Sequence, residues 1–280
     1  MVPPRPRLRG ERTSRNHRGD VESAPTILVF DSGLGGLTVY REIAKARPDA
    51  RYIYVADDAC FPYGRHGEAE LVERVCALMA ELITTHRPTI VVIACNTAST
   101  LVLAQLRGRF PVPFVGTVPA IKPACASSRS KRVSVLGTQA TVNREYTRAL
   151  IRDFANGSEV TLVGSADLAQ FAEAELNGSP VADDLIRDEI APCFRDGERR
   201  TDTVVLACTH YPLLLARLEQ LAPWPVAFVD PAPAIARRVV DLSGAPTSEK
   251  PAAPARAIFT SGRPLSRPLA AALARFGIGS

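Results

Sequence analysis

A chain of 280 residues, 46% of them apolar and 22% charged, can bury one large or two medium α/β domains, which excludes a disordered or miniature protein. Its net charge is +5, and residues 1–23 supply three of those charges through six arginines set against three acids, so the body is nearly neutral, which argues against nucleic acid as a partner. No run approaches the roughly 18 apolar residues of a membrane span, and six cysteines without a C-x-x-C pair read as free thiols of a reducing, cytoplasmic setting rather than a disulfide scaffold or zinc knuckle.

Residues 1–24 read as a disordered Arg-rich tail, lacking the apolar stretch of a secretory signal and the amphipathic face of a transit peptide; an arm for a nucleic acid or an anionic ligand is the alternative. From Thr26 strands and helices alternate. Strands are expected at Ile27 to Phe30, Tyr52 to Ala56, Ile90 to Ala94, Phe114 to Val115, Arg132 to Leu136, Val160 to Val163, Val204 to Ala207 and Val226 to Val229. Helices are expected around 37–47, 67–86, 97–108, 140–155, 166–177, 181–195, 212–222 and 232–242. A boundary falls where Pro119, Pro123 and the polar run 127–130 interrupt the pattern, and a Pro/Ala-rich connector over 244–256 precedes a last strand at Ala257 to Thr260 and a short helix. This gives a first α/β domain from 25–121 plus 230–280 and a second from 122–229. Such alternation predicts mainly parallel sheets covered on both faces, with ligands bound beyond the carboxyl ends of the strands.

The most informative feature is a repetition. Val91-Val92-Ile93-Ala94-Cys95-Asn96-Thr97 returns as Val204-Val205-Leu206-Ala207-Cys208-Thr209-His210: an apolar run that stops at a cysteine, then a polar pair, then a helix with Thr97 or Thr209 as its cap. One such cysteine is most simply a small core residue; two in like settings point to one shared site, where helix N-termini favour an anion and lower a thiol pKa. Asp31-Ser32-Gly33-Leu34-Gly35-Gly36 follows the first strand, its glycines letting backbone N–H groups approach a carboxylate or phosphate, without a dinucleotide spacing or a P-loop lysine. Asp31 either orients a thiol or caps the next helix. Pro62-Tyr63-Gly64 is a turn able to present backbone donors and a phenol. His210 is too close to Cys208 for a chelating motif and fits a proton relay better. None of the four lysines stands at a strand end facing this site, which weakens a pyridoxal-dependent reading.

Together, residues 31–39, Phe61-Pro62-Tyr63-Gly64, Ala94 to Ser99, Val118 to Pro123 and Ala207 to Leu214 resemble the glutamate racemases of the aspartate/glutamate racemase superfamily, in order over about residues 26–240. The resemblance implies two pseudo-symmetric doubly wound domains with the active site at their interface, no cofactor and no metal, and exchange of L- and D-glutamate in the service of peptidoglycan synthesis. It makes Cys95 and Cys208 the two acid/bases, supported by Asp31, Glu173 and His210, and places Asp31, Ser32, Pro62, Tyr63, Gly64, Asn96, Thr97, Thr141, Thr209 and His210 around the substrate. Glu173 rests on a loose match of 165–173, with Glu175 the alternative register. The resemblance also allows activation by UDP-N-acetylmuramoyl-L-alanine, and a monomer or a homodimer. Asp58, Ala140 and the end beyond 244 depart from the family pattern. Inversion needs two acid/bases flanking one carbon, because a single base returns the proton to the face it left. A cysteine hydrolase using Cys208, His210 and Asp31 is the first rival and leaves Cys95 without a task; a binding protein working through the basic tail is the second.

Overall fold

β-branched runs without charges form strands buried on both faces, as parallel sheets require. In the computed structural model, which describes residues 24–249 and 253–279, these are β1 (Thr26–Asp31), β2 (Arg51–Ala56), β3 (Ile90–Ile93), β4 (Phe114–Gly116), β5 (Arg132–Thr138), β6 (Glu159–Ser165), β7 (Thr203–Ala207) and β8 (Ala227–Val229), followed by β9 (Ala255–Phe259) and β10 (Ile278–Gly279). The tail expected over 1–24 lies outside the described residues except for its last one.

The strands make two sheets, ordered β10-β9-β2-β1-β3-β4 and β6-β5-β7-β8, and every pairing between described strands is parallel. The fold is therefore the two-sheet α/β one expected. The run β2-β1-β3-β4 and the whole second sheet share one order, so β3 and β7 are equivalent strands, and the cysteine that follows each occupies the same place in its sheet. Val91, Val92, Ile93, Val204, Val205 and Leu206 are inaccessible to solvent. Burying each stabilises the fold by roughly 1.5–3 kcal/mol, which anchors both strand ends firmly.

Helices α1 (Leu37–Ala46), α2 (Glu68–His86) and α3 (Asn96–Arg109) cover the first sheet with α10 (Ala232–Ser243) and α11 (Arg267–Arg275). The second carries α4 (Ile121–Ser127), α5 (Gln139–Asn143), α6 (Glu145–Phe154), α7 (Leu168–Leu176), α8 (Asp183–Ile190) and α9 (Leu215–Leu221). No described helix is long and apolar enough to cross a membrane.

Several expectations need correction. The interruption expected near 120–130 contains α4, because Pro123 falls in the helix's first turn, where its missing N–H removes no intrahelical bond. The helix expected over 140–155 is broken at Arg144, which is extended at φ −71° and ψ 140°. Its guanidinium reaches Glu68, and Thr147 donates to the Thr141 carbonyl, closing the turn. The span 181–195 ends at Ile190 and tightens into a 3₁₀ turn with Pro192 at its start, and Tyr211–Leu214 is likewise 3₁₀ before α9. Two of the family departures meet in space: the Asp58 carboxylate accepts from Ser261 N–H at 2.9 Å and from its hydroxyl at 2.5 Å, tying the turn after β2 to the segment after β9.

Candidate active site

Both cysteines open onto one cavity between the two sheets. Its wall also carries Ser32 from the loop after β1, Pro62, Tyr63 and Gly64 from the turn after β2, Asn96 and Thr97 from the start of α3, and Thr209 and His210 after β7. The space left is about 20 Å³, which holds a water rather than an amino acid.

Cys95 is itself the N-cap of α3: its Sγ accepts from the Ala98 N–H at 3.5 Å, while the thiol donates to Ser32 Oγ at 3.5 Å. Thr97, expected as the cap, is the second residue of the helix and points its hydroxyl at Thr138 and Thr141, 3.2 and 3.3 Å away. The helix start pulls the Cys95 pKa down as expected, but it is outweighed. Burial and the neighbouring Asp31 charge push Cys95 up to about 12, against the Ala98 N–H and Ser32 hydroxyl that favour the thiolate.

On the opposite wall Cys208 Sγ lies 3.8 Å from His210 Nδ1, and His210 Nε2 lies 2.9 Å from Glu173 Oε1. Burial works against a charge on the ring, but contacts with Cys208 and Glu173 outweigh it and raise the His210 pKa well above its usual value. Nε2 thus faces the Glu173 carboxylate and the Gly35 N–H, while Nδ1 faces the Cys208 sulfur. Glu173 also accepts the Leu34 N–H at 2.7 Å, whereas Glu175 faces Arg217 at 2.5 Å and the Val181 N–H at 2.9 Å, away from the cavity. Thr209, expected as a helix cap, instead donates to Asp31 Oδ1 at 3.2 Å, and Asp31 Oδ2 accepts the Gly33 N–H at 3.0 Å. The line from Cys208 through His210 ends on Glu173, not on Asp31 as the hydrolase reading expects.

Two expectations about donors fail for the same reason. The N–H groups of Gly33 and Leu34 donate to the carboxylates of Asp31 and Glu173, and that of Gly35 donates to His210 Nε2 at 3.1 Å, so the glycine-rich loop organises these three side chains rather than offering its N–H groups to a ligand. The Tyr63 hydroxyl donates to Asp57 at 2.6 Å and leaves only its ring and backbone for the cavity. Asn96 differs from both. Its side-chain amide is buried in the cavity wall, and neither its Nδ2 nor its Oδ1 meets a protein partner.

Asp31, Glu173 and Thr141 stand just behind the cavity surface, whereas Thr138, Phe61 and Ala169 belong to it and were not expected. Thr138 had a signal, since it ends β5 as Asp31 ends β1 in the repeated strand order. Phe61 had the neighbouring Pro62, and its ring packs on His210 with centroids 5.2 Å apart. Ala169 had none.

Residues 27–239 match the family described as Asp/Glu/Hydantoin racemase. The chain is 56% identical over 241 residues to a glutamate racemase from Sinorhizobium medicae, covering 85% of this chain and 89% of the relative. Its structure is similar to that of Escherichia coli glutamate racemase in complex with L-glutamate and the activator UDP-MurNAc-ala, with a TM-score of 0.84, 44% identity, and coverage of 91% of this chain and 96% of that one. A glutamate racemase from Aquifex pyrophilus aligns at a TM-score of 0.67 and 28% identity over 91% and 96% of the two chains.

Proposed function

The chain belongs to the Asp/Glu/Hydantoin racemase family as an enzyme interconverting L- and D-glutamate, and on that premise we propose that Cys95 and Cys208 carry the reaction as acid and base on opposite faces of the α-carbon. One thiolate removes the α-proton while the thiol across the cavity delivers another to the face behind it, and reversal of the roles runs the reaction backwards. The observation that carries this reading is the pair of equivalent strand ends opening their thiols into one cavity.

The surroundings divide the work. The raised pKa of Cys95 keeps it a thiol while the site is closed beside Asp31, and the substrate's ammonium, entering next to that carboxylate, supplies the positive charge that lets the thiolate form. On the Cys208 side, His210, its pKa raised by its contacts with Cys208 and Glu173, keeps a proton within reach of the sulfur. The unpartnered Asn96 amide donates to the α-carboxylate and stabilises the charge that develops there once the α-proton has left. No pyridoxal, nicotinamide or catalytic metal enters this scheme, and the product D-glutamate would feed peptidoglycan synthesis in the cytoplasm.

Regulation by a sugar-nucleotide precursor is part of the proposal. A second cavity of about 390 Å³ lies where the chain crosses between the sheets, its walls formed by Val118, Pro119, Pro231 and Ile235 and ringed by Arg107, Lys122 and Arg238. Apolar walls with three cations suit an amphiphilic polyanion of the kind the Escherichia coli structure holds.

The test is an assay of L- and D-glutamate turnover in deuterated water without added cofactor. Deuterium entering the α-carbon in both directions, with no covalent adduct, supports two-base racemisation. Cleavage of an amide substrate through an acyl-thiol would reject it in favour of a hydrolase.

A further inference from the structure

One more thiol meets a histidine outside the catalytic pair. Cys60 ends the 3₁₀ turn Asp58–Cys60 and is buried, while His66 and Glu70 lie on the loop before α2 and on its first turn, half-exposed and exposed. Cys60 Sγ stands 3.4 Å from His66 Nε2, and His66 Nδ1 stands 3.3 Å from Glu70 Oε1. Thiol, ring nitrogen and carboxylate oxygen fall within 4.8 Å of one another, the one group of three or more such ligand atoms gathered so closely among the described residues.

That geometry matches a tetrahedral cation. A zinc ion with bonds of about 2.3 Å to sulfur and about 2.0 Å to nitrogen holds those two atoms about 3.5 Å apart, so the observed separation asks for almost no movement. A carboxylate on the far nitrogen of a ligating histidine is the usual outer support, because it fixes the tautomer that leaves the near nitrogen free to ligate.

We propose that Cys60, His66 and Glu70 form a site for one soft divalent cation of the zinc class, a control site separate from the catalytic thiols. Cys60 binds as thiolate and releases its proton to solvent, the neutral His66 ring binds through Nε2, Glu70 accepts the Nδ1–H, and water completes the coordination. Two protein ligands and solvent make an open, exchangeable site that fills as the free metal concentration rises. Its effect on turnover follows from the chain: Cys60 is joined to Phe61, whose ring packs on His210, and Pro62, Tyr63 and Gly64 line the catalytic cavity. An ion bridging Cys60 to His66 clasps both ends of that turn and holds in place a wall that must yield to admit glutamate.

The experiment titrates the full-length protein with Co²⁺ and follows thiolate-to-cobalt charge-transfer absorbance, then repeats racemase assays with Zn²⁺. Wild type and the Cys95→Ala/Cys208→Ala double variant both take up one cobalt with the same band. Cys60→Ser abolishes the band, His66→Gln and Glu70→Gln each weaken binding about tenfold or more, and far-UV circular dichroism shows all three folded. Zinc slows wild-type turnover reversibly, whereas Cys60→Ser and His66→Gln keep their metal-free rates in its presence. A band that survives Cys60→Ser but vanishes in the catalytic double variant overturns the site, as does the absence of any band at millimolar cobalt. Zinc binding at Cys60 that leaves wild-type turnover unchanged overturns the control role. Loss of racemisation in every metal-free protein, with the band still following Cys60, supports the metal site and counts against the racemase mechanism instead.

Discussion

Gly33 and Gly35 lie against Glu173 and His210, the two residues proposed to serve Cys208. A Cβ on Gly35 would sit 2.4 Å from His210 Nδ1 and 2.6 Å from the His210 backbone nitrogen, and one on Gly33 would sit 2.0 Å from Glu173 Oε1. Neither space exists. Gly35→Ala should therefore displace the imidazole and cost roughly 10²-fold in kcat while circular dichroism stays native; near-normal kcat would remove His210 from the mechanism. Gly33→Ala has a softer obstacle, the end of a glutamate side chain, and the loss should be smaller. Cys95→Ala and Cys208→Ala should each lower kcat by roughly 10²–10⁴-fold, and the double variant should be scarcely worse than either, because the pair acts as one unit. Full activity in one alanine variant would sink the two-base scheme. At this scale the sequence was most legible where a residue type recurs in a setting, as with the cysteines. Thr138 was missed because its signal is its place, equivalent to Asp31 in the repeated strand order, rather than its chemistry, and the low-specificity match at Glu173 became informative only once Leu34 and His210 were seen to converge on it.

Elements meet through buried carboxylates as well as through apolar faces. Asp57, at the end of β2, is inaccessible to solvent and accepts from Arg74 on α2, from Tyr63 and from Thr260 after β9, each at 2.6 Å. Burial works to raise its pKa, but those bonds outweigh it and hold the carboxyl below its usual range. Arg74→Met would strand that charge and should destabilise the protein by roughly 3–5 kcal/mol in urea unfolding. An unchanged midpoint would show that Tyr63 and Thr260 suffice. Asp202 joins the turn after α4 to β7, accepting from Ser128, Arg129 N–H, Ser130 N–H and Thr203 at 2.7–2.8 Å. Burial raises its pKa and the four donors overcome that, leaving it lowered to about 2. A depressed carboxylate stabilises the fold above the unfolded pKa of about 4 and loses that contribution as pH falls toward 2. Asp202→Asn should thus cost roughly 1–3 kcal/mol at neutral pH and flatten acid unfolding between about pH 4 and 2; an identical acid limb would assign the transition to other carboxylates. Strand positions were readable from β-branched runs, since burial on both faces leaves few alternatives. The break at Arg144 was not, because it depends on Glu68, a residue 76 positions away.

Across the whole molecule, the cavity that holds both thiols and the crossover cavity lie on the same joint between the sheets. With only about 20 Å³ beside the thiols, the walls must give way to admit glutamate, and parting of the two halves is one way to open them; on the proposed scheme they close again to bring both sulfurs onto one carbon. Among the described residues the chain passes between the sheets only near Gly116–Ile121 and Val229–Ala232, and residues of both crossings line the second cavity. A ligand seated there is well placed to favour one arrangement of the halves, provided that it binds that arrangement more tightly than the other. L-Glutamate turnover by full-length protein should accordingly rise with added UDP-N-acetylmuramoyl-L-alanine, by a factor within the roughly 5- to 150-fold range of ordinary coupling. Replacing Arg107, Lys122 and Arg238 together by alanine should remove the stimulation and leave basal turnover in place, because none of the three touches the catalytic cavity. Deleting residues 1–20 discriminates the alternative seat: stimulation that survives the deletion places the activator on the folded body, whereas stimulation lost with the tail and kept in the triple variant assigns the anion to the tail arginines. Equal rates with and without the precursor would reject activation, leaving opening and closure to glutamate alone.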